Sequence, residues 1–458
     1  MRSNRSIPVA PRGLPLLGHL VPLARDPLGF LSALPDHGGL VRIGLGSVDA
    51  VVVCDPELTQ QVLRHDRIFD KGGPIMERGR EVIGNGLVTS LHPSHRRQRR
   101  LLQPAFTRDR IVGYAEKMSE YIAGVSESWS DGSSLDVPHE MQRLSAITTA
   151  ATLFPDTVPE DHIRALLDDM NTVFESVIRR VLLPRAVNAL PTPANRAFRL
   201  AIARVHATVD EIIHKRRTDG DDRGDLISAL LAVENTDDDG RGMTDAEITD
   251  QIITLFLGGT ETTASVLLWA LYLLDQHPDI AARLRAEVDS VLTDRVARYA
   301  DLPGLPVTRN ILTETLRIRP PAWILTRVVT EDTELGGHRL AAGTSLVYSP
   351  YILHHRPELF PEPERFDPDR WATDAPIPAA TRNAFVPFGG GARKCIGDHF
   401  AMIEATLALA TIAARWTLRT LPDRDVRPAV AVSLYPRRLR MSVSQRARGD
   451  LPVQTIRS

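Results

Sequence analysis

The chain has 458 residues, 43% of them hydrophobic and 24% charged, with a formal net charge of −2. That is the composition of a globular protein with enough chain for a large core, and no overall basic field invites nucleic acid or an anionic membrane. The two cysteines, Cys54 and Cys395, lie far apart, which excludes a disulfide framework and favours a reducing, cytoplasmic setting.

The N-terminus (MRSNRSIPVAPRGLPLLGHL) contains no long apolar run, so neither a signal peptide nor an anchor helix is expected. No internal repeat is present, and the chain reads as one domain over 1–458. Short β-branched runs with turn glycines at 40–54 and 324–348 predict hairpins. Apolar spacing of three and four predicts helices over 56–66, 109–130, 160–183 and 196–217. His95 to Arg100 (HRRQRR) reads as a basic helix face. The polar stretch 216–243 reads as an exposed inter-helix segment. Thr244 and Glu247 have the spacing of a capping box, and an apolar run from Ile252 to Leu274 follows, closed by Pro278. That run is long enough to span a bilayer, but Glu261 and three threonines in its middle favour a buried helix of a large core. The result is a mostly α protein with a smaller β-rich part.

The densest chemistry lies in 385–404, FVPFGGGARKCIGDHFAMIE. A thiolate metal ligand must be deprotonated, shielded from water and rigidly held. Gly389, Gly390 and Gly391 allow a tight turn and close approach to a flat ligand, and their amides could point at the sulfur. Cys395 precedes an apolar-periodic stretch, 399–416, so a helix N-terminus should lower its pKa. Phe388 could cover the sulfur, and Arg393 is a cation available to a carboxylate. A buried core cysteine, or a phosphate loop without the Walker spacing, are the alternatives from the residues alone.

The stretch Phe388-x-x-Gly391-x-Arg393-x-Cys395-x-Gly397 resembles the haem-binding signature of the cytochrome P-450 family at every fixed position. Other motifs follow suit. Glu314-x-x-Arg317 and Phe366-Asp367-Pro368-Asp369-Arg370 resemble the family's structural Glu–Arg–Arg triad: Glu314, Arg317 and Arg370. Gly258-Gly259-Thr260-Glu261-Thr262-Thr263 is similar to its oxygen-activating helix. The resemblance implies a P-450 fold with haem b between the central helix and the cysteine loop. Cys395 would be the axial iron ligand, with Phe388, Gly389 and Gly397 in the loop around it. His95, Arg99, Arg327 and Arg393 would face the haem propionates, and Glu261 and Thr262 would relay protons to bound dioxygen.

The resemblance also implies the reaction: one atom of O2 enters a C–H bond at the expense of two electrons and two protons. With no reductase domain expected in the chain, the electrons would come from a separate ferredoxin and ferredoxin reductase using NADPH or NADH. Arg96 and Arg100 could attract such an acidic partner. The expected protein is a monomer without nucleic-acid partner or membrane anchor. The expected pocket residues are Ile75, Met76, Val82, Ile83 and Leu87, read as lying in a loop around Pro74–Leu87, with Phe256, Gly258, Trp323 and Ile324; they are mostly apolar, which suits a small apolar substrate held by shape. The runs Arg317–Tyr351 and His95–Phe106 resemble bacterial oxygenases of cyclic sesquiterpenes; fatty-acid, steroid or macrolide oxidation and a non-oxygenase haem sensor are the alternatives. Asp221-Asp222-x-x-Asp225 spells a magnesium motif of terpene cyclases, but in a polar stretch where carboxylates are ordinarily solvated.

Overall fold

The structure, a computed structural model, describes residues 6–446 except 47, 154–159, 184, 220–224, 233–241, 374–375, 423–425 and 431. The helices that position the site are α1 (Pro56–Arg64), α2 (Gly73–Ile83), α3 (His92–Leu102), α4 (Arg108–Glu127), α5 (Val137–Leu153), α6 (Glu160–Leu182), α7 (Pro193–Asp219), α8 (Asp245–Gln276), α9 (Pro306–Ile318) and α10 (Asp398–Arg415). The strands are β1 (Leu40–Leu45), β2 (Val48–Val53), β3 (Phe69–Asp70), β4 (Leu325–Val329), β5 (Ser345–Tyr348), β6 (Arg427–Val430) and β7 (Leu434–Arg437).

Local chemistry sets the helix starts. Asp55 accepts a hydrogen bond from the Leu58 amide at 2.9 Å, and Pro56 occupies the first turn of α1. The expected capping box opens α8: the Glu247 amide donates to Thr244 Oγ1 at 3.2 Å, and the Thr244 amide to Glu247 Oε2 at 2.9 Å. Among the described residues α8 is the one helix long and apolar enough to cross a membrane, yet 67% of its most apolar window is buried inside the protein. It packs against α5, α7, α9 and α10, as the central helix of a large core.

The predicted hairpin at 40–54 forms, with Leu40 opposite Val53. The segment 324–348 supplies β4 and β5, antiparallel neighbours, with a small hairpin of Thr333–Leu335 and His338–Leu340 between them. The sheet order is β1-β2-β5-β4-β3, with β2 and β5 parallel. Strand β3 is two residues long and antiparallel to β4, with Phe69 opposite Val329. It brings Asp70 and Lys71 toward the strand that carries Arg327.

Two sequence expectations need correction. The region Pro74–Leu87 is helical as far as Ile83, because Pro74 occupies the first turn, and only then does it turn. Nor is 216–243 wholly exposed: Leu226–Ala232 is a helix, and Asp225, 2% exposed, is ion-paired with the equally buried Arg216. A carboxylate engaged by a guanidinium in the core is no magnesium ligand. Asp221 and Asp222 lie outside the described residues, and no cluster of metal-binding side chains occurs among the described ones.

The Glu–Arg–Arg triad assembles as expected. Glu314 and Arg317 are fully buried and bonded side by side, Arg317 Nε to Oε2 at 2.9 Å and Nη2 to Oε1 at 2.8 Å. Arg370 Nε lies 3.3 Å from Glu314 Oε1. Glu314 also accepts from the Asp367 amide and the Trp371 indole, and Arg317 donates to the carbonyls of His354 and Arg365. The triad thereby ties α9 to the chain leading into the cysteine loop.

A second buried carboxyl, Glu404 on α10, accepts from Thr148 Oγ1 of α5 at 2.6 Å. Burial pushes its pKa up to about 8, against the pull of Thr148 and Ser145. Because the folded pKa is raised, the stabilisation is complete below the usual value of 4.5 and is lost as pH rises through about 8. Glu404→Gln should therefore match the parent in denaturant titrations at low pH and exceed it by ~3–5 kcal/mol above pH 8. Equal stability of the two proteins at alkaline pH would refute a buried neutral acid.

Candidate active site

Cys395 sits at the end of the glycine loop, its amide bonded to the Phe388 carbonyl at 2.9 Å. Half-buried Phe388 packs against the main core. The glycines act differently from the expectation. Gly389 and Gly391 have φ of +69° and +63°, a left-handed conformation that glycine tolerates. A Cβ on Gly391 would meet the Leu63 carbonyl oxygen at 2.1 Å, so the close approach is to the end of α1. The backbone amide that reaches the Cys395 sulfur is that of Gly397, the N-cap of α10. The side chain of Cys395 is open on one side, yet protein surrounds it closely enough that burial pushes its pKa up. Gly397, Arg99 and Lys394 oppose that shift without overcoming it. The helix end alone does not make this cysteine a thiolate; a coordinated metal ion does so outright.

The expected propionate residues lie together. His95 is 2% exposed and Arg327 2% exposed, and both neighbour Arg393 electrostatically. Their detailed partners differ from the expectation. Arg393 is held by Asp66, Asp70 and the Ser90 carbonyl, and so faces carboxylates of the chain itself. Arg99 donates to Gln103 and to the Lys394 carbonyl, gripping the cysteine loop. Lys71, absent from the sequence reading, is buried in the same cluster. Burial, then Arg327 and Arg393, hold its pKa well below the usual value. Burial, then Arg393 and Arg99, lower His95 to about 3, so its imidazole is neutral.

These residues fit a haem. Arg393 is paired with Asp66 and Asp70, and Lys71 and Arg327 are buried beside it, so hydrogen-bond donors crowd a buried site suited to two propionates. His95 Nδ1 and Arg327 Nε are buried and have no hydrogen-bond partner in the protein. Buried polar atoms ordinarily have partners, so both await acceptors.

On the distal side, Leu255, Gly258, Gly259 and Thr262 are at least partly open and recur at three and four residues along α8, marking one face. Gly258 is exposed, with no atom within 4 Å of where a Cβ would stand. Gly259 instead admits α5, since a Cβ there would stand 2.7 Å from Thr149 Oγ1. Thr262 donates to the Gly258 carbonyl at 2.5 Å, and its oxygen lone pairs remain available as acceptors. Glu261 points elsewhere, accepting from the amide and hydroxyl of Ser433 at the tip between β6 and β7. Burial pushes its pKa up to about 7, and Ser433 pulls against that shift.

The expected pocket residues do not all share one wall. Ile83, Leu87 and Phe256 are buried in the main core, and Met76 is half-buried. The side chains of Ile75 and Val82 lie outside the described residues. Trp323 is 6% exposed and packs in a separate core with Val41, Val52 and Leu434; only its neighbour Ile324 is half-buried. Of the charged residues near this region, Arg78 pairs with Glu81 at 2.8 Å, and Arg80 bonds to the carbonyls of Thr89 and Lys71.

A core helix crossing an apolar interior, a cysteine at a helix N-terminus and a buried cation cluster beside the cysteine loop are the parts a haem-thiolate protein needs. The family model described as Cytochrome P-450 matches residues 8–440. The chain is 48% identical over 436 residues to cyclooctatin synthase of Streptomyces melanosporofaciens, covering 94% of each chain. It is 44% identical over 442 residues to pentalenene oxygenase of Streptomyces avermitilis, covering 96% of this chain and 98% of that one. The crystal structure of the cytochrome P450DA heme domain aligns at a TM-score of 0.85 and 28% identity, covering 96% of this chain and 98% of that one. The chain belongs to the cytochrome P-450 family and is a haem-dependent monooxygenase, with a cysteine thiolate as the axial ligand.

Proposed function

We propose that the protein inserts one oxygen atom of O2 into a C–H bond of a cyclic terpene in secondary metabolism, the second atom leaving as water. The observation that carries this reading is identity of 44–48% over nearly the whole chain with Streptomyces enzymes named for cyclooctatin and pentalenene chemistry. The apolar character of Ile83, Leu87, Phe256 and Ile324 supports a hydrocarbon-like substrate selected by shape.

In this reading Cys395 would supply the thiolate ligand, backed by the Gly397 amide, and His95, Arg327 and Lys71 would hold the propionates. Arg99 and Arg393 fix the cysteine loop and the Asp66–Asp70 segment. The haem supplies oxygen binding and activation when it is present. The chain itself must exclude bulk water, orient the C–H bond and deliver protons on the open face of α8. Thr262 Oγ1 can accept a hydrogen bond from a water, and Glu261, on the next position around the helix, can supply the proton. Electrons come from a separate ferredoxin and its reductase. Arg96 and Arg100, exposed on α3, suit an acidic docking partner. We read the protein as a cytoplasmic monomer.

The test is reconstitution with a ferredoxin, its reductase and NADPH over a set of cyclic sesquiterpenes and diterpenes, measuring oxygenated product per NADPH. At least one terpene should shift the haem spectrum and be oxidised with close coupling. In Thr262→Ala that terpene should still shift the spectrum while product per NADPH falls several-fold, and Thr262→Ser should be milder. Tight coupling on fatty acids and none on any terpene would overturn the substrate assignment.

A further inference from the structure

The β6–β7 tip is fastened to the central helix by a stripe of polar groups four residues apart. Ser265 Oγ and Trp269 Nε1 both donate to the Leu434 carbonyl, at 2.6 Å and 2.9 Å. Leu434 in turn donates through its amide to the Pro321 carbonyl at 3.1 Å, joining the tip to the segment before Trp323 and Ile324. One turn earlier on the same stripe, Glu261 receives both the amide and the hydroxyl of Ser433. Ser433 is 2% exposed and Leu434 fully buried, so the tip is part of the interior.

Glu261 has a second neighbour. A chamber of about 10 Å³ lies beside it, walled by Gln142 of α5, Asn171 of α6 and Thr260, together with apolar side chains. That volume suits one water, and the wall offers the polar partners a water needs. Thr260 Oγ1 is buried with no hydrogen-bond partner in the protein. Glu261 is the one ionisable residue lining the chamber, and no charged group shifts it: the polar groups facing it are Gln142, Asn171, Thr260 and Ser433.

We propose that Ser433 is a positioning residue for proton delivery: it holds the Glu261 carboxyl between the one-water chamber and Thr262, so that hairpin docking and proton supply are a single event. The proposal rests on the reading that Glu261 supplies the proton. In the cycle the Glu261 O–H bond breaks toward a water held by Thr262 Oγ1. The carboxylate left behind is stabilised by the two Ser433 donors, and the chamber water restores the acid by passing on a proton taken up from solvent, so that it ends as water. No electron moves in these steps. The burial that raises Glu261 keeps an acid available near neutral pH, and the Ser433 donors keep it from becoming too weak to release its proton.

The experiment uses the ferric holoenzyme and a coupled terpene substrate. Infrared titration of the Glu261 carboxyl, identified by its loss in Glu261→Gln, should move upward by about one pH unit in Ser433→Ala, because a hydrogen bond to the charged form is removed. The alkaline limb of product per NADPH should move with it, and coupling should fall several-fold at unchanged substrate binding. Ser433→Thr should restore both, and Ser433→Cys, of nearly the same size, gives a second reading should the alanine variant fold poorly. Ser265→Ala removes one of the two bonds to the Leu434 carbonyl and keeps that of Trp269, so the hairpin stays docked and the titration should stay in place; the same shift there would make Ser433 a mere structural contact and overturn the proposal. If Glu261→Gln uncouples while Ser433→Ala titrates and couples like the parent, the proposal fails and the relay stands. A Glu261→Gln enzyme as coupled as the parent removes the relay itself, and the proposal with it.

Discussion

Replacing Glu314 by Ala should unfold the protein or strip it of haem. The side chain is fully buried and receives Arg317, Arg370, the Asp367 amide and the Trp371 indole. Its removal leaves Arg317, itself fully buried, without its carboxylate, and water cannot reach it there. Breaking a buried pair by deleting one partner costs about 3–5 kcal/mol, a large part of the margin by which a domain is stable. The damage should spread to the haem site, because the chain the triad anchors runs on into the cysteine loop. Haem content after purification and the midpoint of a denaturant titration measure it. Glu314→Gln, which keeps one acceptor for Trp371 or Asp367, should be intermediate. An alanine variant with parental midpoint and full haem would show that the triad contributes no more than packing.

Cys395→Ser should abolish the strongly red-shifted Soret band that the reduced carbon-monoxide complex of a thiolate-ligated haem displays. Turnover should fall by about a thousandfold or more, equivalent to about 4 kcal/mol of barrier. An alcohol in place of the thiol donates far less electron density to the iron, the property that favours O–O cleavage. The loop should survive, since its shape depends on the left-handed Gly389 and Gly391 and on the Cys395 amide, none of which the substitution alters. Cys54→Ser is the control. Cys54 is buried beside β2, its thiol pushed up to about 12 by burial, so its loss should leave the band unchanged. A red-shifted band in Cys395→Ser would place the ligand elsewhere.

The sequence by itself determined the elements whose signals are local. The Thr244–Glu247 box and the spacing of Glu314 and Arg317 each depend on residues within one turn of helix, so they survive without knowledge of the rest of the chain. The cysteine loop was legible for a similar reason: positive φ at Gly389 and Gly391 leaves a fixed mark on the residue types. Tertiary structure decided where charges meet. Lys71, Asp66 and Asp70 gave no signal, because a two-residue strand has no periodicity, and only its pairing with β4 carries Lys71 toward Arg327. The glycines of α8 divide their duties for the same reason. Gly258 faces open space and Gly259 makes room for Thr149, a difference of one residue that depends on which helix lies alongside. Ser433 is the extreme case: nothing in its own segment marks it, and its bond to Glu261 exists because Ser265 and Trp269 fasten a distant hairpin to the central helix. Helix caps and tight turns are fixed by near neighbours; the pairing of a buried acid with its donors is fixed by which surfaces pack, and packing is a property of the whole chain.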